Sequence, residues 1–203
     1  MKPTVVAVVL AALLLLTADS ARAQKAEISL SIGALKSGDL NTSLGSIKAG
    51  TSFAYEVNVA VRLYNAHLAA LYVEVPFAGT PKTTLTSSNP FSPSDYSSFF
   101  ITPGLKLKVL PGAPFSPYAF AGAGYARFHE GSTLANGSQN PGSGGTGRGA
   151  FDFGGGVDWK VLPSISVRGE VRDFYSGTPK FNTSLLNDKQ QNVLVSAGVV
   201  LRF

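Results

Sequence analysis

Arg168, Glu170 and Arg172 occupy every second position of the stretch SVRGEVRDFY, among valines, glycine and aromatics. Two bases flanking an acid at that spacing are suited to forming ion pairs. On a helix they would fan out over about 200°, since each residue turns the chain by about 100°. On a strand they share one face, with Val167, Gly169 and Val171 on the other. A second group, His129, Glu130 and Ser132, supplies base, carboxylate and nucleophile by residue type. Those three are almost consecutive in a Gly/Ser-rich segment, whereas such chemistry needs preorganised partners. His67 falls in a short turn and reads as a solvated turn residue. Two distant histidines and no cysteine give no metal-ligand cluster. The expectation is therefore no catalytic site, no metal, no cofactor and no enzyme.

The elements that would position the charged triplet are strands. Eight segments alternate or nearly alternate, over residues 26–35, 52–64, 68–77, 98–110, 117–129, 149–162, 165–175 and 191–203. In the second, Phe53, Tyr55, Val57, Val59, Val61 and Leu63 share a face opposite Glu56, Asn58 and Arg62. The sixth sets Phe151, Phe153, Val157, Trp159 and Val161 against Asp152, Asp158 and Lys160. The eighth sets Val193, Val195, Ala197, Val199, Leu201 and Phe203 against Asn192, Ser196, Gly198 and Arg202. Period-2 alternation is the mark of a strand with unlike faces. Segments this long exceed the usual five or six residues of soluble sheets and suit the roughly 9–11 tilted residues that cross a bilayer.

Short and long connections alternate along the chain. NAH, PGAPFS and PS separate segments two and three, four and five, and six and seven; residues 36–51, 78–97, 130–148 and 176–190 make long Ser/Thr/Gly/Asn/Pro-rich loops. A membrane barrel with both ends on one side has that order, because its long loops then emerge on the far side. EGSTLANGSQNPGSGGTGR reads as a mobile surface loop, and no phosphate-loop pattern occurs in it.

Composition narrows the classes further. The 203 residues allow one domain, or at most two small ones, charge is sparse at 14%, and glycine and phenylalanine number 22 and 13. The net charge of +5 is dispersed, with no Lys/Arg run, so no nucleic-acid partner is expected. Absence of cysteine excludes disulfides and a lipoprotein anchor. Residues 1–23 read as a secretory signal peptide: Lys2, an unbroken apolar run of 12 from Val5 to Leu16, and Ala21-Arg22-Ala23 with cleavage after Ala23. A helix of 12 residues rises about 18 Å, too little for a hydrocarbon core of roughly 30 Å. Residues 24–203 form the expected barrel domain, and no further domain is expected after it.

Three features favour an apolar exterior over a soluble sandwich. Aromatics gather at two levels, Phe53, Tyr55, Phe77, Phe99, Phe128, Phe151, Phe153 and Tyr175 towards the long loops, and Tyr118, Phe120, Trp159 and Phe203 towards the short turns, as interfacial girdles do. Charges of both signs sit within the opposite faces, expected to include Glu56, Arg62, Glu74, Lys106, Lys108, Arg127, Asp152, Asp158 and the 168/170/172 triplet. An even number of closed strands also leaves no unpaired edge in lipid. Pro103, inside FFITPGLKLKV, predicts a bulge.

Along its whole length the mature chain resembles the small eight-stranded outer-membrane β-barrels of Gram-negative bacteria, the group of the OmpA transmembrane domain and OmpX. The stretches FSPYAFAGAGYARF, GAFDFGGGVDWKVLPSISVRGEVRDFY and VSAGVVLRF carry the resemblance. It implies an all-β, eight-stranded antiparallel up-and-down transmembrane barrel in the bacterial outer membrane, with periplasmic termini. It also implies that Phe203 is part of the C-terminal signature met by the outer-membrane insertion machinery.

The expected function is a structural or surface-interaction scaffold, in contact with outer-membrane lipid and with an external ligand through its long loops. The second reading is a narrow porin-like channel for ions or small solutes, set against an eight-stranded interior that side chains just fill. A tight turn at residues 162–164 would set Val161 opposite Ile165, Asp158 opposite Arg168, Gly156 opposite Glu170 and Gly154 opposite Arg172. The charged triplet would then form a lumenal ion-pair network with Asp158, and Asp152, Glu56 and Glu74 are further candidate members.

Overall fold

The computed structural model describes residues 26–42, 45–179 and 189–203. The expected signal peptide and its cleavage site after Ala23 lie outside the described residues. Among those described there are eleven strands: β1 (Ala26–Ser37), β2 (Leu40–Thr42), β3 (Gly45–Ala49), β4 (Thr51–Asn65), β5 (Ala69–Ser87), β6 (Asp95–Ile101), β7 (Gly104–Val109), β8 (Phe115–Glu130), β9 (Gly145–Leu162), β10 (Ile165–Gly177) and β11 (Lys189–Arg202).

Eight staves make the barrel, because β6 and β7 are two halves of one stave broken at Thr102 and Pro103. All neighbours are antiparallel. The order β5-β4-β1-β11-β10-β9-β8-β6/β7 returns to β5, so the ring is closed. The last stave meets the first in register from Glu27–Arg202 to Ser37–Asn192, and Phe203 N–H donates to the Ala26 carbonyl at 3.0 Å. Closure matters because an unpaired backbone group in hydrocarbon costs several kcal/mol.

The break at Pro103 follows from chemistry, since proline brings no ladder donor. The expected bulge does not form: the register with β5 and β8 is the same on both sides of the break, the Pro103 carbonyl accepts from Ala123 N–H at 3.1 Å, and Lys106 and Lys108 face inward. The short turns hold two non-glycine residues in the left-handed region, His67 (φ 56°) and Leu110 (φ 50°). The PS turn differs from expectation. Ile165 pairs with Leu162 rather than Val161, and a bulge restores the intended phase by Ser166–Lys160.

The apolar face of the staves points outward. Leu30, Val171 and Val195 are 62%, 50% and 55% exposed, while Ser29, Glu170 and Ser196 beside them are buried. One stave departs from the sequence expectation. In β8 the aromatics Tyr118, Phe120 and Phe128 face the lumen and Arg127 faces out. The outward face between Phe115 and Tyr125 is mostly alanine, so both faces are apolar and alternation could not separate them. What decides it is volume: Tyr118 and Phe120 lie beside Gly156 and Gly154 of β9, where their rings have room.

The long connections contain more strand than their composition suggested. β5 runs on to Ser87, β6 begins at Asp95, β9 begins at Gly145, and the β2–β3 hairpin packs on the β5 extension through Ile47–Ser87. Residues 131–144 are pinned by bridges Pro93–Leu134 and Thr133–Gln139. The staves thus build a raised rim at the end bearing the long connections.

Candidate functional site: the charged lumen

The lumen holds two layers. Alternation turns every second side chain inward, and closure gathers the charged and bulky ones from all staves. In the layer nearer the short turns are the carboxylates Glu27 (β1), Glu56 (β4), Glu74 (β5), Asp152 and Asp158 (β9) and Glu170 (β10). Their cationic partners are Lys106 and Lys108 (β7), Arg168 and Arg172 (β10) and Arg202 (β11).

The register between β9 and β10 pairs Asp158 with Arg168, Gly156 with Glu170 and Gly154 with Arg172. Arg168 forks onto Asp158, Nε to Oδ1 at 2.8 Å and Nη2 to Oδ2 at 3.2 Å. Such bidentate geometry is the stronger form of the pair. Asp158 also takes Lys108 at 2.7 Å and Arg202 at 3.4 Å. Arg172 is the hub of the other half. It meets Asp152 at 2.9 Å, Glu56 at 3.0 Å, Glu170 at 3.1 Å, and Glu74. Its approach to Glu56 is an ion contact without hydrogen-bond alignment. Glu74 joins the halves by pairing with both Lys106 and Arg172.

Aromatic faces hold the cations in place. The Arg168 guanidinium lies 4.6 Å from the Tyr118 ring centre and that of Arg172 lies 4.2 Å from Phe120. Tyr118 donates its hydroxyl to Glu170, and Thr102 donates to Asp152 at 3.0 Å. The expected network lacks Glu27, Lys106, Lys108 and Arg202, all of which the lumen brings into it. The signal for Glu27 was present, because Glu27, Ser29 and Ser31 alternate with Ile28, Leu30 and Ile32, but partners across a lumen are invisible to neighbour pairing.

The second layer, nearer the rim, is apolar and was not anticipated. Phe100 stacks on Phe174 at 4.7 Å and meets Phe128 edge-on at 5.9 Å, with Tyr96 6.0 Å from Phe128. Leu35, Ala54, Ala78 and Leu194 surround them below the rim, where Leu40, Ile47 and Leu85 continue the cluster. Wide aromatic rings fill the lumen there, and buried hydroxyls beside them pair among themselves, Ser52 with Thr83 and Thr80 with Ser98, each at 2.7 Å.

The glycines of β9 are a requirement of this packing. A Cβ on Gly156 would lie 2.6 Å from the Tyr118 hydroxyl, and one on Gly169, on the outward face of β10, would meet nothing within 4 Å. Gly156→Val should therefore lose about 1–3 kcal/mol by overpacking, while Gly169→Val should be close to neutral. Urea titration of the refolded barrel in lipid vesicles checks the difference; equal effects would contradict the packing described.

The alternative cluster does not converge. His129 faces outward and Glu130 inward, where Glu130 is paired with Asn140 at 3.4 Å. His67 is exposed in its turn.

Closed antiparallel staves, an apolar exterior and a charged interior define the fold of a small outer-membrane β-barrel. Among solved structures the chain is similar to Neisserial surface protein A, with TM-score 0.54, 18% identity, and 88% of this chain and 97% of that chain covered. It is also similar to the outer membrane protein OprG from Pseudomonas aeruginosa, with TM-score 0.50, 13% identity, and 89% and 97% covered. At these identities the likeness concerns the fold. No family model matches the chain, and no curated protein matches it in sequence.

Proposed function

We propose that the chain is an outer-membrane scaffold, a barrel closed through its interior that carries its raised rim and long connections on the cell surface. The observation that carries this reading is the double filling of the lumen, ion pairs in one layer and stacked aromatics in the next. A porin-like channel needs a continuous aqueous path, and Arg168, Arg172, Phe100 and Phe174 stand across it, all buried. The rim supports a surface-interaction role, because it offers Ser, Thr and Asn side chains and accessible Gly backbone held by the stave extensions. Its external ligand, the lipid around the barrel and the insertion machinery met by the C-terminal strand at Phe203 are the proposed partners.

In this orientation both termini and the short turns are periplasmic. Proteinase K added to intact cells should then cut within residues 131–144 and leave the turn at residues 66–68 protected. Cleavage at residues 66–68 with 131–144 spared would invert the orientation.

A further inference from the structure

On the outward wall, just beyond the aromatic girdle of the rim side, the pairing of β5 with β6 slips between Thr80 and Thr83. The slip opens a shallow cleft of 380 Å³, lined by Tyr55, Pro81, Ser97, Phe99, Arg127 and His129 among others. This is the face on which Arg127 replaces the alanines of β8. Arg127 pairs in register with Phe99, and His129 with Ser97. Tyr125, Phe99 and Tyr55 are exposed at the girdle level. Arg127 follows Tyr125 by two residues, about 7 Å along the strand.

The guanidinium is directed away from the apolar band. A Cβ on Gly145 would lie 3.2 Å from Arg127 Nη2, although the register partner of Arg127 is Gly147, two residues nearer the girdle. This is how a long cationic side chain reaches from hydrocarbon level to headgroup level. Among the described residues neither Arg127 nor His129 meets a carboxylate. The nearby Asp95 is engaged by Lys82 at 3.3 Å. A cation and an imidazole, with a serine hydroxyl beside them and aromatic rings below, are thus presented to the layer where phosphate groups of lipid lie.

We propose that this cleft binds the phosphorylated headgroup of an outer-leaflet glycolipid, with Arg127 and His129 on a phosphate and acyl chains running down the wall over Phe99 and Tyr55. Arg127 supplies the charge-assisted donors that match phosphate oxygens, and Ser97 supplies a further hydroxyl. The chemistry of a phosphate monoester is shared with free phosphate; the aromatic floor beneath Arg127 and His129 favours the lipid. The proposal rests on the outward orientation of the rim, which the protease experiment decides separately. Binding measured in micelles does not depend on that orientation.

The test uses the folded barrel in neutral detergent, titrated with bisphosphorylated lipid A and with its dephosphorylated form. Arg127→Gln with His129→Gln should weaken lipid A binding by about tenfold or more, two ionic or polar donors being lost. It should leave binding of the dephosphorylated form unchanged. Arg127→Lys should retain part of the affinity, and unshifted gel mobility before boiling shows that each variant is folded. Inorganic phosphate at the same concentration should not displace the lipid. Equal binding of lipid A by wild type and the double variant, equal binding of the two lipid forms by wild type, or displacement by inorganic phosphate would each overturn the proposal.

Discussion

Arg172→Ala should destabilise the folded barrel by about 3–5 kcal/mol, the range for removing one member of a buried ionic group. The residue is fully buried and lies against Glu56, Glu74, Asp152 and Glu170. Truncation leaves four carboxylates facing one another beside Phe120, with Lys106 and Arg168 as the nearest remaining cations of the network. Because the loss is mostly acid–acid repulsion and desolvation, it should be partly repaired by neutralising an acid. Arg172→Ala combined with Glu56→Gln is therefore expected to be more stable than Arg172→Ala alone, a non-additivity that only contacting residues show. Reversible urea unfolding in lipid vesicles, followed by the fluorescence of Trp159, measures both. A loss within the scatter of surface substitutions, about 0.5 kcal/mol, would mean that Arg172 is hydrated rather than enclosed.

The second large effect lies on the other face of the same strand. Val171 is outward, paired with Val195 and Gly155 and followed by the inward Arg172. Val171→Arg should cost about 2–4 kcal/mol, as cations do near the bilayer midplane on a barrel wall. The same side chain introduced at inward Ser196 meets acids instead, since the Ser196 hydroxyl lies 3.4 Å from Glu56. Ser196→Arg should therefore cost less than Val171→Arg in the same titration. Equal costs on the two faces would contradict an apolar exterior.

How much of this was legible in the sequence differs from stave to stave. β4, β9, β10 and β11 carry an apolar row opposed to a more polar one, so their facing follows from a period of two, while the Asp158–Arg168 juxtaposition also needs the bulge after Ile165. β8 was not legible. Its two rows, Tyr118, Phe120 and Phe128 against Ala119, Ala121 and Ala123, are both apolar, and only the volume left by Gly154 and Gly156 on β9 decides which row enters the lumen. That inversion moved Phe128 from an expected girdle to the apolar layer, and moved Arg127 from an expected lumen to the outer wall. The rim was under-read for a different reason. Thr83, Thr84 and Thr86 are β-branched and suit a strand, but beside Pro81, Asn89 and Pro90 they read as loop. The ion pairs from Glu27 to Lys106 and Lys108 join β1 to β7, staves that are not neighbours, and no local pattern announces a contact across a lumen.

The central claim, a barrel closed by two stacked layers, is tested most directly by single-channel conductance in a planar bilayer. The wild-type barrel should insert without producing current steps. Arg168→Ala with Arg172→Ala opens only the charged layer and should stay silent, because Phe100, Phe128 and Phe174 still seal the lumen above it. Adding Phe100→Ala and Phe174→Ala should give small, regular steps. Steps from the wild-type protein, with verified folding, would contradict the account and assign the chain to the channels.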